Sequence, residues 1–172
     1  MANLILNADF ELGSANWIRN DNSLVIISFN DLKGSIVARL LPGGILSQSL
    51  SLSPNTTYSL NFKAYPFFPG GPIQVNVGGS LKEINILQTV YDPAEFKNYT
   101  ETFTTPETVL NGITFTNPTS NTIYVMIDDL LMETTVPEPE TTTSKPTSYG
   151  FVVVGGVIVV AALLYAALKR KK

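Results

Sequence analysis

Hydrophobic and polar residues alternate along most of this chain over short stretches, as they do in half-buried β-strands. The alternation is clearest at residues 57–65, where four side chains share one face: Tyr58, Leu60, Phe62 and Ala64. Glycine, proline, asparagine and aspartate punctuate the chain between such stretches. The pattern predicts about ten strands, at residues 4–6, 24–29, 36–41, 45–52, 57–65, 73–77, 84–90, 96–103, 113–116 and 122–132.

No helical period of useful length precedes residue 149, and short strands with frequent turn signals are typical of an all-β sandwich or jelly roll. We therefore predict one antiparallel β-sandwich domain over residues 1–133, which is long enough to enclose a hydrophobic core. Residues 66–72 contain three prolines and are predicted to form a loop, because proline cannot donate a hydrogen bond to a central ladder.

The rest of the chain has a different character. Residues 134–148 contain six Thr, two Ser and three Pro, which cannot build a core, and they are predicted to form a disordered stalk. Residues 149–168 carry no charge and are long enough, at ~1.5 Å per residue, to span a bilayer core of about 30 Å as a transmembrane helix. Residues 169–172 are all basic and form a short tail with affinity for anionic lipid.

The basic tail predicts the orientation of a single-pass membrane protein. Lys and Arg beside a membrane helix favour the cytoplasmic side, so the domain is expected to be extracellular or on the outer face of an envelope. Residues 1–3 lead directly into domain-like sequence, without a recognisable signal peptide. Three routes remain open: the anchor inserts with its N-terminus outside, a leader is missing from this sequence, or the domain stays inside.

Composition excludes several classes of site. Residues 1–148 contain fourteen Asp and Glu against seven Lys and Arg, a net charge of −7, which argues against nucleic-acid binding. The chain has no Cys and no His, which removes zinc fingers, cysteine nucleophiles and His-based triads. Asp92 and Glu95 are carboxylates that a glycosidase could use, but no motif surrounds them and we predict that the chain is not an enzyme.

Three blocks of sequence resemble a known family when they are taken together. The first is NLILNADFELG at residues 3–13 with Trp17, the second is LSQSLSLSPNTTYSLNFKAY at residues 46–65, and the third is IYVMIDDLLM at residues 123–132. In order and spacing they resemble galactose-binding-like jelly rolls, above all the family 4/9 carbohydrate-binding modules. The resemblance implies two antiparallel sheets packed face to face, with the two ends of the domain adjacent and Trp17 mainly a packing residue.

The resemblance also implies a structural calcium ion near the junction of the chain ends. Its ligands would be Asp9, Glu11, Asp128 and Asp129, with carbonyl groups from the turn at residues 30–34. Calcium prefers such oxygen ligands, and a divalent ion would relieve the repulsion between these carboxylates. The alternative is that Asp9 caps its own turn, Glu11 is exposed and the aspartate pair simply ends a strand.

A carbohydrate site needs flat aromatic faces with amides and carboxylates around them. We predict ligand-binding residues in and beside the proline-rich loop: Tyr65, Phe67, Phe68, Asn61, Gln74 and Tyr124. The loop sequence PFFPGGP departs from the family pattern, so no sugar specificity follows from the resemblance. The alternative is that Phe67 or Phe68 packs beneath the loop as part of a small separate core.

Two functions compete. The first is a non-catalytic, membrane-anchored surface module that binds carbohydrate, and the second is a structural or adhesive protein of an envelope, spore or virion that uses the same fold for protein contact. The expected partners are carbohydrate or a surface protein, together with membrane lipid through the C-terminal helix. Retention on a polysaccharide would distinguish the first from the second.

Overall fold

The computed structural model describes residues 2–31, 33–66, 70–87 and 96–135. These residues contain ten β-strands and no helix. The strands are β1 (Ile18–Arg19), β2 (Val25–Asn30), β3 (Ser35–Leu40), β4 (Ile45–Gln48), β5 (Thr57–Pro66), β6 (Gly70–Val77), β7 (Ser80–Leu87), β8 (Lys97–Thr104), β9 (Ile113–Thr116) and β10 (Val125–Thr134).

The chain divides into two units, Met1–Val136 and Pro137–Lys172, and every described strand lies in the first. The predicted transmembrane helix, the basic tail and the predicted stalk after residue 135 lie outside the described residues. Within the four described ranges, no helix is long and apolar enough to cross a membrane.

The strands form two five-stranded sheets in which every pairing is antiparallel. The first sheet has the order β1-β4-β9-β6-β7 and the second has the order β2-β3-β10-β5-β8. The sheets pack face to face, because Phe62 of the second sheet meets Phe115 of the first with ring centroids 5.8 Å apart. The predicted all-β antiparallel sandwich is therefore confirmed for the described part of the chain.

The core lies between the sheets and follows the alternation in the sequence. The four side chains that were predicted to share a face of β5 are all at most 2% exposed: Tyr58, Leu60, Phe62 and Ala64. The facing sheet contributes fully buried side chains from β6 and β9: Ile73, Val75, Val77, Ile113 and Phe115. Each large apolar side chain removed from water contributes about 1.5–3 kcal/mol, so this interface is the main source of stability.

The segment before β1 closes one side of the core. Trp17 is buried, and its ring centroid lies 5.3 Å from that of Phe10, which is also buried. The indole nitrogen donates a hydrogen bond of 3.0 Å to the carbonyl of Asn7, which satisfies its only polar group. Trp17 is therefore a packing residue, in agreement with the resemblance.

The predicted strand at residues 4–6 is wrong, because the backbone bends there. The Asn3 side chain helps to hold the segment beside β10: its amide nitrogen donates to the carbonyl of Leu130 at 2.8 Å, and its oxygen accepts from the backbone nitrogen of Met132 at 2.9 Å. Two isolated backbone hydrogen bonds add to this contact, from Leu4 to the carbonyl of Met132 at 2.9 Å and from Leu130 to the carbonyl of Ala8 at 3.0 Å. The two ends of the domain are thus adjacent, but one amide side chain substitutes for part of a ladder. The pattern also missed β1, which is only two residues long.

The predicted loop at residues 66–72 is wrong at both of its ends, because β5 extends to Pro66 and β6 begins at Gly70 and includes Pro72. Residues 67–69 lie outside the described residues. Pro72 pairs with Asn85 of β7. The pairing of β6 with β9 begins only at Gln74, so Pro72 has a ladder partner on one side alone. Proline is tolerated at such a position because no second strand needs its missing N–H group.

A β-bulge in β10 shapes the outer surface of the second sheet. The register with β5 shifts between Asp128 and Leu131, and Asp129 has a φ of 50°. In a regular strand, neighbouring side chains point to opposite faces. Here a single ammonium group, that of Lys33, reaches both aspartates, so the bulge brings two successive carboxylates to one place.

Candidate functional site

The outer face of the second sheet carries a small apolar cluster of its own, separate from the main core. We call it the outer aromatic cluster; its buried members are Val37, Tyr65 and Met126, and its half-buried members are Phe96 and Tyr124. Met126 of β10 pairs with Tyr65 of β5, and the rings of Tyr65 and Phe96 lie 5.6 Å apart. Aromatic surface therefore gathers on the side of the sheet that faces away from the core.

Arg39 of β3 lies beside this cluster. It pairs with Met126 in the sheet, and its guanidinium carbon lies 4.9 Å from the centroid of the Tyr124 ring. A cation over an aromatic face is attracted by the ring quadrupole and is held in a defined orientation. The Nε atom of Arg39 is buried and has no hydrogen-bond partner among the described residues.

A group of four charges lies next to the outer aromatic cluster. This ion-pair cluster consists of Lys33, Lys63, Asp128 and Asp129. Asp128 is fully buried and accepts a hydrogen bond from the Lys33 ammonium group. Asp129 accepts from Lys33 at 3.0 Å and from Lys63 at 2.8 Å. The Lys33 nitrogen also lies 5.6 Å from the centroid of the Phe96 ring, so the two clusters are in contact.

The pKa values of this group follow from burial and hydrogen bonding. Burial alone would raise the pKa of Asp129, but hydrogen bonds from Lys63 and Lys33 lower it below its ordinary value. Burial alone would lower the pKa of Lys33, but hydrogen bonds to Asp128 and Asp129 raise it. Burial raises the pKa of Asp128, and the Lys33 ammonium only partly opposes this. Lys33 is therefore charged at neutral pH and compensates the two carboxylates.

Amide and hydroxyl groups continue the same face beyond the charges. Asn61 of β5 pairs with Thr100 of β8, and its side-chain oxygen accepts a hydrogen bond of 2.6 Å from the Thr100 hydroxyl. The neighbouring pair on this face is Lys63 with Asn98. The face thus combines aromatic rings, compensated charges and hydrogen-bonding groups, which is a composition suited to a hydroxyl-rich ligand.

Three of the predicted ligand-binding residues lie on this face. Tyr124 and Asn61 are partly exposed there, at the aromatic and amide ends respectively. Tyr65 requires a correction: its side chain points away from the main core, as expected, but it is only 2% exposed. It is covered because Met126 and Phe96 pack against it, so it supports the surface rather than presenting its ring to solvent.

The other predicted ligand-binding residues are placed elsewhere or not described. Gln74 lies on β6 in the first sheet, where its amide donates to the Glu83 carboxylate at 3.1 Å. It is therefore on the opposite sheet from Asn61 and Tyr124. Phe67 and Phe68 lie outside the described residues.

The predicted calcium ligands are all engaged by donors from the protein itself. Asp9 accepts from the backbone nitrogen of Glu11, as in the turn-capping alternative, and the Glu11 carboxylate accepts from the backbone nitrogen of Ile36. Asp128 and Asp129 share the Lys33 ammonium. Among the described residues, no group of three or more acidic side chains lies close enough to hold a metal ion. As placed, the donor set fits an ammonium group better than a calcium ion, and the calcium site stays a prediction.

Sequence patterns alone had not identified Arg39, Phe96 or Lys33 as members of this face. The alternation in β3 contains a usable signal for Arg39, because it shares a face with Val37 while Ala38 and Leu40 enter the core. Lys33 has no such signal, since it lies in the turn before β3 and reaches residues about 95 positions away. The pairing of β3 with β10 places Arg39 beside Met126, and the pairing of β10 with β5 adds Tyr65, against which Phe96 packs.

The described fold is similar to that of solved carbohydrate-binding modules. A family 4 module (CBM4) matches with a TM-score of 0.55 and 17% identity over 76% of this chain and 99% of that chain. A family 61 module in complex with β-1,4-galactotriose matches with a TM-score of 0.53 and 18% identity, over 78% of this chain and 100% of that chain. A cyclase from Fischerella sp. TAU matches with a TM-score of 0.53 and 21% identity, over 78% and 98%. No protein-family model and no curated protein sequence matches the chain.

Proposed function

We propose that this chain is a non-catalytic, membrane-anchored surface module that binds carbohydrate on the outer face of its second sheet. One observation carries the proposal: on a sandwich similar to carbohydrate-binding modules, the outer aromatic cluster and the Asn61–Thr100 pair lie on the same face. The fold likeness supports a module of this type, and the composition of the face supports the position of the site.

The chemistry of the face suits sugars for two reasons. Half-buried rings such as Tyr124 and Phe96 offer apolar area to the C–H faces of a pyranose. The Asn61 amide retains donors, and the Thr100 hydroxyl an acceptor, beyond the hydrogen bond that joins them, so both can bond to sugar hydroxyls. Few polar groups on a largely rigid surface are sufficient to orient such a ligand.

Three finer points belong to the same proposal. The carbohydrate-binding modules among the neighbours support a non-catalytic role, which predicts that the chain releases no reducing sugar from the glycan that it binds. This measurement is needed because the Fischerella cyclase, an enzyme, has a similar fold. Residues 149–168 anchor the module in a membrane, with its domain outside. A calcium ion near Glu11 and Asp128 would stabilise the junction of the chain ends, and it would have to displace the Lys33 ammonium group.

The test is retention of the purified full chain on immobilised neutral and acidic polysaccharides, in calcium and again in chelator. We expect binding to at least one glycan class, and Asn61→Ala should weaken it by about threefold to tenfold through the loss of one hydrogen bond. Gln74→Ala is the matched control, because it removes an amide from the opposite sheet. A structural calcium ion predicts a lower unfolding temperature in chelator.

Two results would contradict the proposal. A folded chain that is retained on no glycan in either buffer would favour the structural or adhesive alternative, and cross-linking would then be used to find a protein partner. Loss of binding in Gln74→Ala with normal binding in Asn61→Ala would keep the function but move the site to the first sheet.

A further inference from the structure

Arg39 is a cation without a carboxylate partner among the described residues. Its side chain is half-buried, with the Nε–H group inside the fold and without an acceptor among the described residues. The ion pairs between described residues use Lys33, Lys63 and Lys82 as their cations. Within that part of the chain, Arg39 therefore has an aromatic neighbour but no carboxylate partner.

The neighbours of Arg39 are apolar side chains and carboxylates that already have cationic partners. Tyr124 lies against the guanidinium group at 4.9 Å and Met126 is its neighbour in the sheet, so the side chain lies on apolar surface. Guanidinium groups bind carboxylates through two parallel N–H donors, and with Nε buried the edge formed by the two terminal nitrogens is the one that can face a ligand. The nearby carboxylates of Asp128 and Asp129 are already compensated by Lys33 and Lys63.

We propose that Arg39 is the specificity residue of the carbohydrate site and binds the carboxylate of an acidic sugar of the uronic-acid type. This inference rests on the proposed carbohydrate-binding function. The sugar ring lies over the aromatic side chains, and its carboxylate accepts two hydrogen bonds from the terminal nitrogens of Arg39, because the buried Nε is out of reach of a ligand. Generic charge attraction does not explain such a preference, because residues 1–148 carry a net charge of −7 and repel polyanions.

The experiment compares each acidic polysaccharide with its carboxyl-reduced form, in which a neutral hydroxymethyl group replaces the carboxylate. Glucuronoxylan and polygalacturonate are the probes, with unsubstituted xylan and galactan as neutral references, and the purified full chain is used throughout. We expect one acidic polymer to bind about tenfold more tightly than its reduced form, as a charge-assisted bidentate contact implies.

Three variants test the role of Arg39. Arg39→Met should abolish the preference while leaving binding to the reduced polymer, and Arg39→Lys should lose most of it, because an ammonium group keeps the charge without the planar pair of donors. Arg19→Met, which removes an arginine from the first sheet, should keep the preference. Unfolding temperatures of all three establish that each variant is folded.

The outcomes separate the two proposals. Equal binding of acidic and reduced polymers, or a preference that survives in Arg39→Met, overturns the inference while the carbohydrate-binding function stands. Retention on no polymer of either kind overturns both. An acidic preference that disappears in Arg39→Met and persists in Arg19→Met establishes the subsite.

Discussion

At the scale of single residues, the junction between the turn before β3 and the bulge of β10 depends on Lys33. The buried Asp128 carboxylate accepts hydrogen bonds from Lys33, from the Ser35 hydroxyl at 3.2 Å and from the backbone nitrogen of Asp129 at 2.8 Å. A buried carboxylate is tolerated only when such partners compensate it. Lys33 therefore neutralises the aspartate pair in the place where a calcium ion was expected.

Removal of Lys33 is predicted to destabilise the fold far more than removal of Lys63. Lys33→Met leaves the buried Asp128 without its cation and should lower the free energy of unfolding by about 3 kcal/mol. Lys63→Met is the matched control, because that pair is about 40% exposed and exposed pairs contribute about 0–1 kcal/mol. Denaturant unfolding of both variants at neutral pH measures the difference; equal effects would contradict a role for Lys33.

The pH dependence of that difference has a definite sign. The pKa of Lys33 is raised in the folded state above its ordinary value of 10.5, so its contribution is complete below that pH. As the pH rises through the folded pKa, the ammonium group loses its proton and the contribution is lost. The stability gap between the native chain and Lys33→Met should thus be constant from pH 7 to 9 and shrink above about pH 10.5. A gap that grows in alkali would refute this account.

Alternation alone predicted correctly the face on which two of the candidate site residues lie. Tyr124 and Asn61 were both expected to point away from the core, and both do, because a strand sends successive side chains to opposite sides. Tyr65 obeys the same rule, but its burial depends on Phe96 and Met126, which come from other strands. Exposure is a property of the neighbours of a side chain, so a local pattern cannot supply it.

At the scale of elements, strands with regular alternation were predicted well and irregular segments were not. β9 has the predicted bounds, residues 113–116, and its inward residues are buried. The N-terminal segment was predicted as a strand because it is apolar, yet it meets β10 through two isolated backbone hydrogen bonds and two more made by the Asn3 side chain. A hydrogen bond from a side chain to another element leaves no periodic signal.

The role of Asn3 can be tested with a single substitution. Asn3→Ala removes two hydrogen bonds to β10 and leaves the Leu130 carbonyl and the Met132 nitrogen without this partner, so the free energy of unfolding should fall by about 1–3 kcal/mol. Asn22→Ala, at an exposed position in the turn before β2, is the control and should have little effect. Amide hydrogen exchange at Met132 measures the local effect. If the Met132 amide exchanges as slowly in Asn3→Ala as in the native chain, the proposed role of Asn3 is contradicted.

At the scale of the whole molecule, charge is unevenly distributed along the chain, with an acidic N-terminal part and a basic C-terminal end. Residues 1–148 carry a net charge of −7, whereas residues 169–172 are four consecutive basic residues. The similarity to the family 4 module covers 76% of the chain, so the comparison with solved structures supports the fold of the sandwich and gives no support to the anchor. The proposed anchor is therefore supported by its own composition, through its length and absence of charge.

The anchor proposal predicts stable association with lipid vesicles. The full chain should float with vesicles in a density gradient, and a chain that ends at residue 148 should not. Replacement of both Val157 and Val160 by Arg should weaken insertion, since each central Arg costs about 2.5–3.5 kcal/mol, whereas replacement of both by Leu should not. Flotation of the shortened chain would place the membrane contact in the sandwich domain instead.

The sequence by itself determined the fold class, most of the strands and the faces of their side chains, because alternation, turn residues and apolar length are local properties. Only the tertiary structure decided which outward residues meet. β10 is hydrogen-bonded between β3 and β5, and this pairing places Arg39 beside Met126 and brings Tyr65 into the same cluster. Its bulge presents two aspartates to Lys33. These contacts join positions that are far apart along the chain. They are created by strand pairing, which depends on the whole fold and therefore cannot be read from a local pattern.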